Sequence, residues 1–545
     1  MKKILTVSLA LLFSLLAFAS ISGCKQEKAS EDASTKTEVQ DTQKEDNKFG
    51  GVLVFARSGD SVGLDPGRET DGESFYGSTQ IYDTLVEFEP GKTSIRAALA
   101  ESWTFADDGL SATFNLRKGV KFHDGTDFNA DAVVYSFERQ FKEDHPAFEN
   151  GPWKYWGYMG MSDIVDSVVA IDDYTVKFNL KVVEAPFIAN LAMDFAAIVS
   201  PTAGEKYGAD FTNHPVGTGA FKFVSWIKDD NMVFERNPDY WGGDVYLDRL
   251  IIKVIPDATA RWLALQKGEV DVIDFPSPED LDAMKSTDGI KVVEQAGLNV
   301  GYLALNTEKA PYDNKLVRQA MNYAIDREEI VAGVYGAAGA VAKNPLPPTM
   351  WSYNDDIEAY PYDTAKAKEL LAEAGYADGF KTEIMAMPVA RPYNPNGKKV
   401  AEIMQAQLAK VGIEASIISY EWGTYLDKCD YGEHEAAMLG WTGDNGDPDN
   451  FLWVLLSKQA AEKPAGNIAF WKNDEFTDLI FKAKQEMDVA KRTEFYEKAQ
   501  VVFHEEAPWV PIAHSVVSEP MKDSVQDFYL YPTGKRVFAK VWLKK

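Results

Sequence analysis

The stretch Gly440–Phe451 reads GWTGDNGDPDNF and gathers three carboxylates (Asp444, Asp447, Asp449), two glycines that free the backbone (Gly443, Gly446) and a large aromatic ring (Trp441). Carboxylates are acceptor-only anions at neutral pH, and a short Asp suits an ammonium with three donors. No helical or strand period fits the stretch, and Pro448 predicts that no helix passes through it, so it reads as a loop. The competing reading is a solvated acidic turn.

Other chemistries fail on spacing. Glu89–Thr93 (EPGKT) ends like a phosphate loop, but Val86 stands where the first glycine belongs. Gly217-Thr218-Gly219 has no third glycine in register and precedes a strand, not a helix. The six histidines (His123, His145, His214, His434, His504, His514) form no i, i+4 pair and no cluster with cysteine, which argues against zinc. Asp447 and Asp449 begin like a calcium loop, yet Leu452 sits where the sharp turn needs glycine. Cys429 has no nucleophile signature around it, and there is no G-x-S-x-G elbow. No metal and no cofactor is expected. A carboxylate pair of the kind glycosidases use is always obtainable from 84 acidic residues and so discriminates nothing.

The elements that must position these residues alternate between strand and helix. Gly51–Phe55, Thr175–Leu180, Arg249–Ile255 and Ile413–Tyr420 read as strands, and Gly109–Lys121 alternates in the β manner before a turn at Lys118-Gly119. Helices are expected after a capping Asn129, over Ala258–Lys267, Arg318–Val334, Asp363–Ala374 and Lys398–Val411. Helix followed by strand at 398–420 suggests an α/β lobe. About 500 residues at 45% hydrophobic content supply more than one core. The formal charge of −28 disfavours nucleic acid and anionic headgroups as partners of the bulk surface.

The N-terminus reads as an address. Lys2 and Lys3 precede an uncharged run to Ile21, and Ile21-Ser22-Gly23-Cys24 resembles a bacterial lipobox, so residues 1–23 are expected to be a signal peptide and Cys24 a lipid anchor. Residues 24–48 lack the apolar side chains needed to fold and are expected to be a disordered tether. With Cys24 lipidated, Cys429 has no partner for a disulfide.

From about Gly50 onward the chain resembles the extracytoplasmic solute-binding proteins of peptide-importing ABC transporters, solute-binding protein family 5. The segments that carry the resemblance are PVGTGAF (215–221), GLNVGYLALN (297–306), PPTMWSYNDD (347–356), AMPVARPYNPNGKK (386–399), YEWGTYL (420–426), GWTGDNGDPDNF (440–451) and APWVPIAHS (507–515). RPYNPN with GWTGDNGDPDNF is similar to the dipeptide branch. The resemblance implies a two-lobed, hinge-closing α/β fold of the periplasmic-binding-protein type, class II, with a subdomain inserted in the first lobe. Lobe I is expected from 49–83, 215–296 and 515–545, the insert from 84–214, and lobe II from 297–514. Some members carry two disulfides, and positions such as Ala56 hold no cysteine here.

By the same resemblance Arg391 pairs with the peptide carboxylate and Asp444 with its ammonium. Pro392, Tyr393, Trp441, Thr442 and Gly443 flank them as ligand contacts, Trp422 lines a side-chain pocket, and Thr70 reaches in from the opposite lobe. A dipeptide is a zwitterion with ends about 6 to 7 Å apart, so one fixed cation and one fixed anion measure ligand length. The planar fork of Arg suits a carboxylate. Aromatic walls read side chains loosely. The expected function is a lipid-anchored, extracytoplasmic, monomeric receptor that delivers dipeptides to an ABC permease without catalysing a reaction. The alternatives are a binder of oligopeptide, glutathione or haem, and a carbohydrate-active enzyme.

Overall fold

The computed structural model describes residues 48–545, which form one compact unit. The signal peptide, Cys24 and the tether up to residue 47 lie outside the described residues. Among the described residues no helix is long and apolar enough to cross a membrane.

A twelve-stranded mixed sheet runs through the molecule, and its spine is the 14-residue strand Trp509–Lys522. The first part of that strand pairs with Asn299–Leu305, from Ala304 opposite Trp509 to Gly301 opposite Ala513. Its second part pairs with Ile290–Ala296, from Ala296 opposite Val516 to Ile290 opposite Lys522. The two partners are consecutive in the chain, joined only by Gly297 and Leu298, so both crossings lie side by side. Asn299 ties them together: its side chain donates to Ser515 O at 2.9 Å and accepts from Ser515 N at 2.9 Å.

On one side of this crossing Val52–Arg57 pairs in parallel with Arg249–Val254, and Asn231–Arg236 and Phe221–Ile227 complete the half. Their inward residues (Leu53, Phe55, Phe221, Phe234, Leu250, Ile252), with Phe528 and Phe538 near the C-terminus, build one core. On the other side Phe380–Met385 pairs in parallel with Ile413–Ile418, and helix Gly397–Ala409 makes the crossover that a parallel pair requires. Val400, Met404 and Leu408 of that helix bury against the sheet. Within 84–214 a separate four-stranded antiparallel sheet forms from Ala100–Phe105, Ser111–Leu116, Thr175–Leu180 and Val165–Asp172. Its aromatic cluster (Phe114, Phe137, Phe178) is continuous with the core of the second half.

Two sequence expectations fail in instructive ways. Arg318–Val334 is not one helix: Lys315–Ala324 ends at an extended Ile325, and Arg327–Ile330 restarts behind Asp326 before a π-helical turn over Val331–Tyr335. Asp326 caps the new start by accepting from Glu329 N at 3.0 Å, and its own N–H donates to Gln407 at 3.0 Å. Nor is Gly440–Phe451 a loop throughout. Gly440–Thr442 ends the strand Ala436–Thr442, and helix Asp449–Leu456 begins directly after Pro448. Proline at a helix start loses no hydrogen bond and presets φ, so Pro448 opens a helix instead of forbidding one.

Candidate functional site

The turn between that strand and that helix hangs over a cavity with about 1110 Å³ of space free of protein atoms, part of it continuous with solvent. Eight of the nine expected ligand contacts line it: Thr70, Arg391, Pro392, Tyr393, Trp422, Trp441, Thr442 and Asp444. Thr70 comes from the loop before helix Gly72–Ile81, Trp422 from the first residue of helix Trp422–Asp430, and Trp441 and Thr442 from a strand end. The arginine sits in a tight turn in which Arg391 and Asn394 exchange backbone hydrogen bonds at 3.0 Å, with Pro392 and Tyr393 at its tip.

Gly443 is the exception. Its N–H donates to Leu298 O at 2.7 Å, and a Cβ there would meet the Phe451 ring at 2.5 Å, so this glycine is a close-packing position that does not line the cavity. Gly446 does likewise: it adopts φ +72°, and a Cβ would lie 2.6 Å from Thr93. The backbone around Asp444 is not left open for a ligand either, because Asp444 N donates to Asn450 Oδ1 at 2.7 Å.

The three aspartates have separate fates. Asp447 accepts from Arg492 at 2.8 Å and from Asp449 N at 3.2 Å, away from the cavity. Asp449 is fully buried, accepts from Asn445 at 3.2 Å and lies 3.8 Å from Lys484, with burial pushing its carboxyl well above the usual range. Asp444 alone turns to the cavity. Among the described residues no cation lies within ion-pair distance of it, and desolvation pushes its carboxyl up to about 7, with Asp194 adding and the Tyr155 hydroxyl and Lys535 opposing.

At the arginine end, Arg391 is buried, with its guanidinium carbon 5.1 Å from the centre of the Trp422 ring and 5.9 Å from that of Phe275. Its Nη1 donates to Glu73 Oε1 and to Ala390 O, both at 2.9 Å, while Nη2 is buried with no partner. The cavity is mostly apolar, with Phe75, Tyr158, Phe275, Trp422, Leu439 and Ile468 among its lining residues. A second groove holds more free space, about 1900 Å³, but Asp257, Glu279, Lys398 and Lys399 along it are exposed and the buried Arg261 is already held by the carbonyls of Ile255, Pro256 and Phe275.

Several cavity residues escaped sequence reasoning. Asp194 lies 3.1 Å from Lys535 and accepts from Thr79 at 3.0 Å. Asp71 accepts from the indole of Trp422 at 3.4 Å and caps helix Gly72–Ile81. The Asp71-Gly72-Glu73 start carried a capping signal, but nothing local connects Glu73 with a residue 318 positions away.

The family model described as bacterial extracellular solute-binding proteins, family 5 Middle, matches residues 94–463. The dipeptide-binding protein of Escherichia coli is 44% identical over 506 residues, covering 90% of this chain and 94% of its own. Heme-binding protein A of Haemophilus influenzae is 43% identical over 535 residues, 96% of each chain. Among solved structures, the ABC transporter-associated periplasmic binding protein DppA from Helicobacter pylori, in complex with the peptide STSA, matches with a TM-score of 0.88 at 44% identity over 92% of this chain and all of that one. A family model covering more than half the chain, with relatives this similar over nearly its full length, has one consequence: this chain belongs to the bacterial extracellular solute-binding proteins of family 5, two-lobed binding proteins and not enzymes.

Proposed function

We propose that the protein captures short peptides, dipeptides foremost, in the cavity between its lobes and passes them to an ABC permease, held at the extracytoplasmic membrane face as a monomer by a lipid on Cys24. One observation carries the ligand assignment: one mostly apolar cavity is lined by both a buried guanidinium with an unpartnered Nη2 and a desolvated carboxylate that, among the described residues, has no cation within ion-pair distance. A zwitterion satisfies both. The lobe boundaries near 296–299 and 513–516, where the spine strand changes partner, make these crossings the proposed hinge. The similarity to a dipeptide-binding protein supports the reading, and membership of a binding-protein family sets aside the carbohydrate-active enzyme.

Longer peptides are the second reading, because a structure with 44% identity holds the four-residue peptide STSA. Haem enters through the name of one relative, but the cavity is lined by neither His, Cys nor Met, which leaves tyrosine as the only common axial ligand type present.

Calorimetry on the purified protein at pH 6.5 tests the two-ended clamp. Arg391→Ala and Asp444→Ala, which leave the ligand's carboxylate or ammonium buried without a partner, are each expected to weaken binding by about two to three and a half decades, the cost of about 3 to 5 kcal/mol for a buried ion left unpaired, and N-acetylation of a bound dipeptide is expected to weaken it by removing the charge that Asp444 takes. Unchanged affinity in both variants sinks the site assignment.

A further inference from the structure

Arg391 does not face the cavity as a free cation. Glu73 holds its Nη1 at 2.9 Å from within the first turn of helix Gly72–Ile81, and the Glu73 side chain has no solvent exposure. The Glu73 carboxylate is itself incompletely satisfied: Oε1 also accepts from Ser58 at 3.2 Å, while Oε2 has no hydrogen-bond partner and stands 3.6 Å from Arg57. The other charged groups around Glu73 do not settle the balance. Arg57 is engaged by Asp60 at 2.7 Å, Asp274 by Arg261 at 3.3 Å, and Asp71 adds a further negative charge from the cap of Glu73's own helix. Beyond them Tyr76 is kept neutral by burial, and Arg536 is paired with Glu519.

Nη1 of Arg391 is taken by Glu73 and Ala390 O, so an incoming peptide carboxylate must share the guanidinium with Glu73. Two carboxylates on one cation, out of water, cannot both stay ionised without cost. Burial already pushes the Glu73 carboxyl up to about 7, within reach of a proton at neutral pH.

We propose that Glu73 decides which peptide C-terminus the cleft accepts. Protonated, it yields Arg391 to a free carboxylate, as a dipeptide presents. Ionised, it keeps Arg391 paired and leaves Nη2 to donate to a neutral carbonyl, as an amidated or longer peptide presents. This rests on the peptide reading above and makes Glu73 a positioning residue for specificity.

The test compares one dipeptide with its C-terminal amide by calorimetry on the full-length protein between pH 5.5 and 7.5. Both ligands share the ammonium and its partner Asp444, so the acid-to-amide affinity ratio isolates the carboxylate end. In the wild type the ratio is expected to fall about fourfold over this range, the titration of one group near pH 7. In Glu73→Gln it is expected to be flat and at its acid-side value. The wild-type protein at pH 7.5, titrated in two buffers of different ionisation enthalpy, is expected to take up more protons with the acid than with the amide, which keeps the proposal testable if the variant does not fold. A pH-independent ratio in the wild type, or equal proton uptake for the two ligands, overturns the role of Glu73. Failure of the wild type to bind either ligand overturns the peptide reading itself.

Discussion

Asp444 and Arg391 reach the same cavity in opposite electrostatic conditions. The carboxylate is held near neutrality by desolvation and waits for a cation, whereas the guanidinium is already half engaged. For Asp444 the sign of the pH effect follows directly. An ammonium beside it lowers a carboxyl that stands at about 7 without ligand, so binding releases a proton, and affinity is full above pH 7 and lost as pH falls below it. For an amidated dipeptide, which leaves Glu73 out of the balance, Kd is expected to rise about tenfold per unit between pH 6.5 and 5. Calorimetry across that range checks it, and a flat profile places the ammonium elsewhere.

At the level of elements, the site is a strand end, a turn and a helix start wedged against the Arg391–Asn394 turn. Two strand glycines let this wedge close: a Cβ on Gly440 would lie 2.2 Å from the Tyr393 ring, and one on Gly301 would lie 2.1 Å from Tyr393 O. Neither needs an unusual φ. Close approach is the reason for both. Gly440→Ala is expected to cost about 1 to 3 kcal/mol of stability through overpacking and to weaken peptide binding by displacing Tyr393. Denaturant melts with parallel titrations measure both, and a variant that loses neither shows that Tyr393 has room to move. In sequence Gly443 and Gly446 read as residues that free the backbone; their neighbours Phe451 and Thr93 show that they are close-packing positions.

Across the whole molecule, residues from both halves of the sheet line the cavity, so the proposed hinge couples to the proposed ligand. Ser515 joins them at the crossing: its hydroxyl donates to Pro392 O at 2.6 Å, beside the ligand turn, while its backbone pairs with Asn299. Asn299→Ala removes two buried hydrogen bonds and is expected to destabilise the protein by about 1 to 3 kcal/mol, with part of the loss appearing as weaker peptide binding through a smaller population of the competent state. Thermal melts with and without saturating dipeptide separate the two effects. An unchanged melt makes the Asn299 pairing irrelevant to the crossing.

The sequence alone determined what local patterns encode. Strand alternation at Thr175–Leu180, the Asn129 and Asp363 caps, and the mixed α/β class follow from residue periodicity, and the motifs carrying Arg391 and Asp444 marked both ends of the cavity. What local patterns do not encode was decided only in three dimensions. That Pro448 opens a helix depends on the buried run Phe451–Leu456 packing as a helix. That Asp447 and Asp449 belong to the core depends on Arg492 and Lys484 some 35 to 45 residues away. The partner of Arg391 lies 318 residues away on another strand-and-helix unit, and no periodicity reaches that far. Charge type is a property of the residue, but whether a charge is free, paired or waiting for a ligand is a property of the fold.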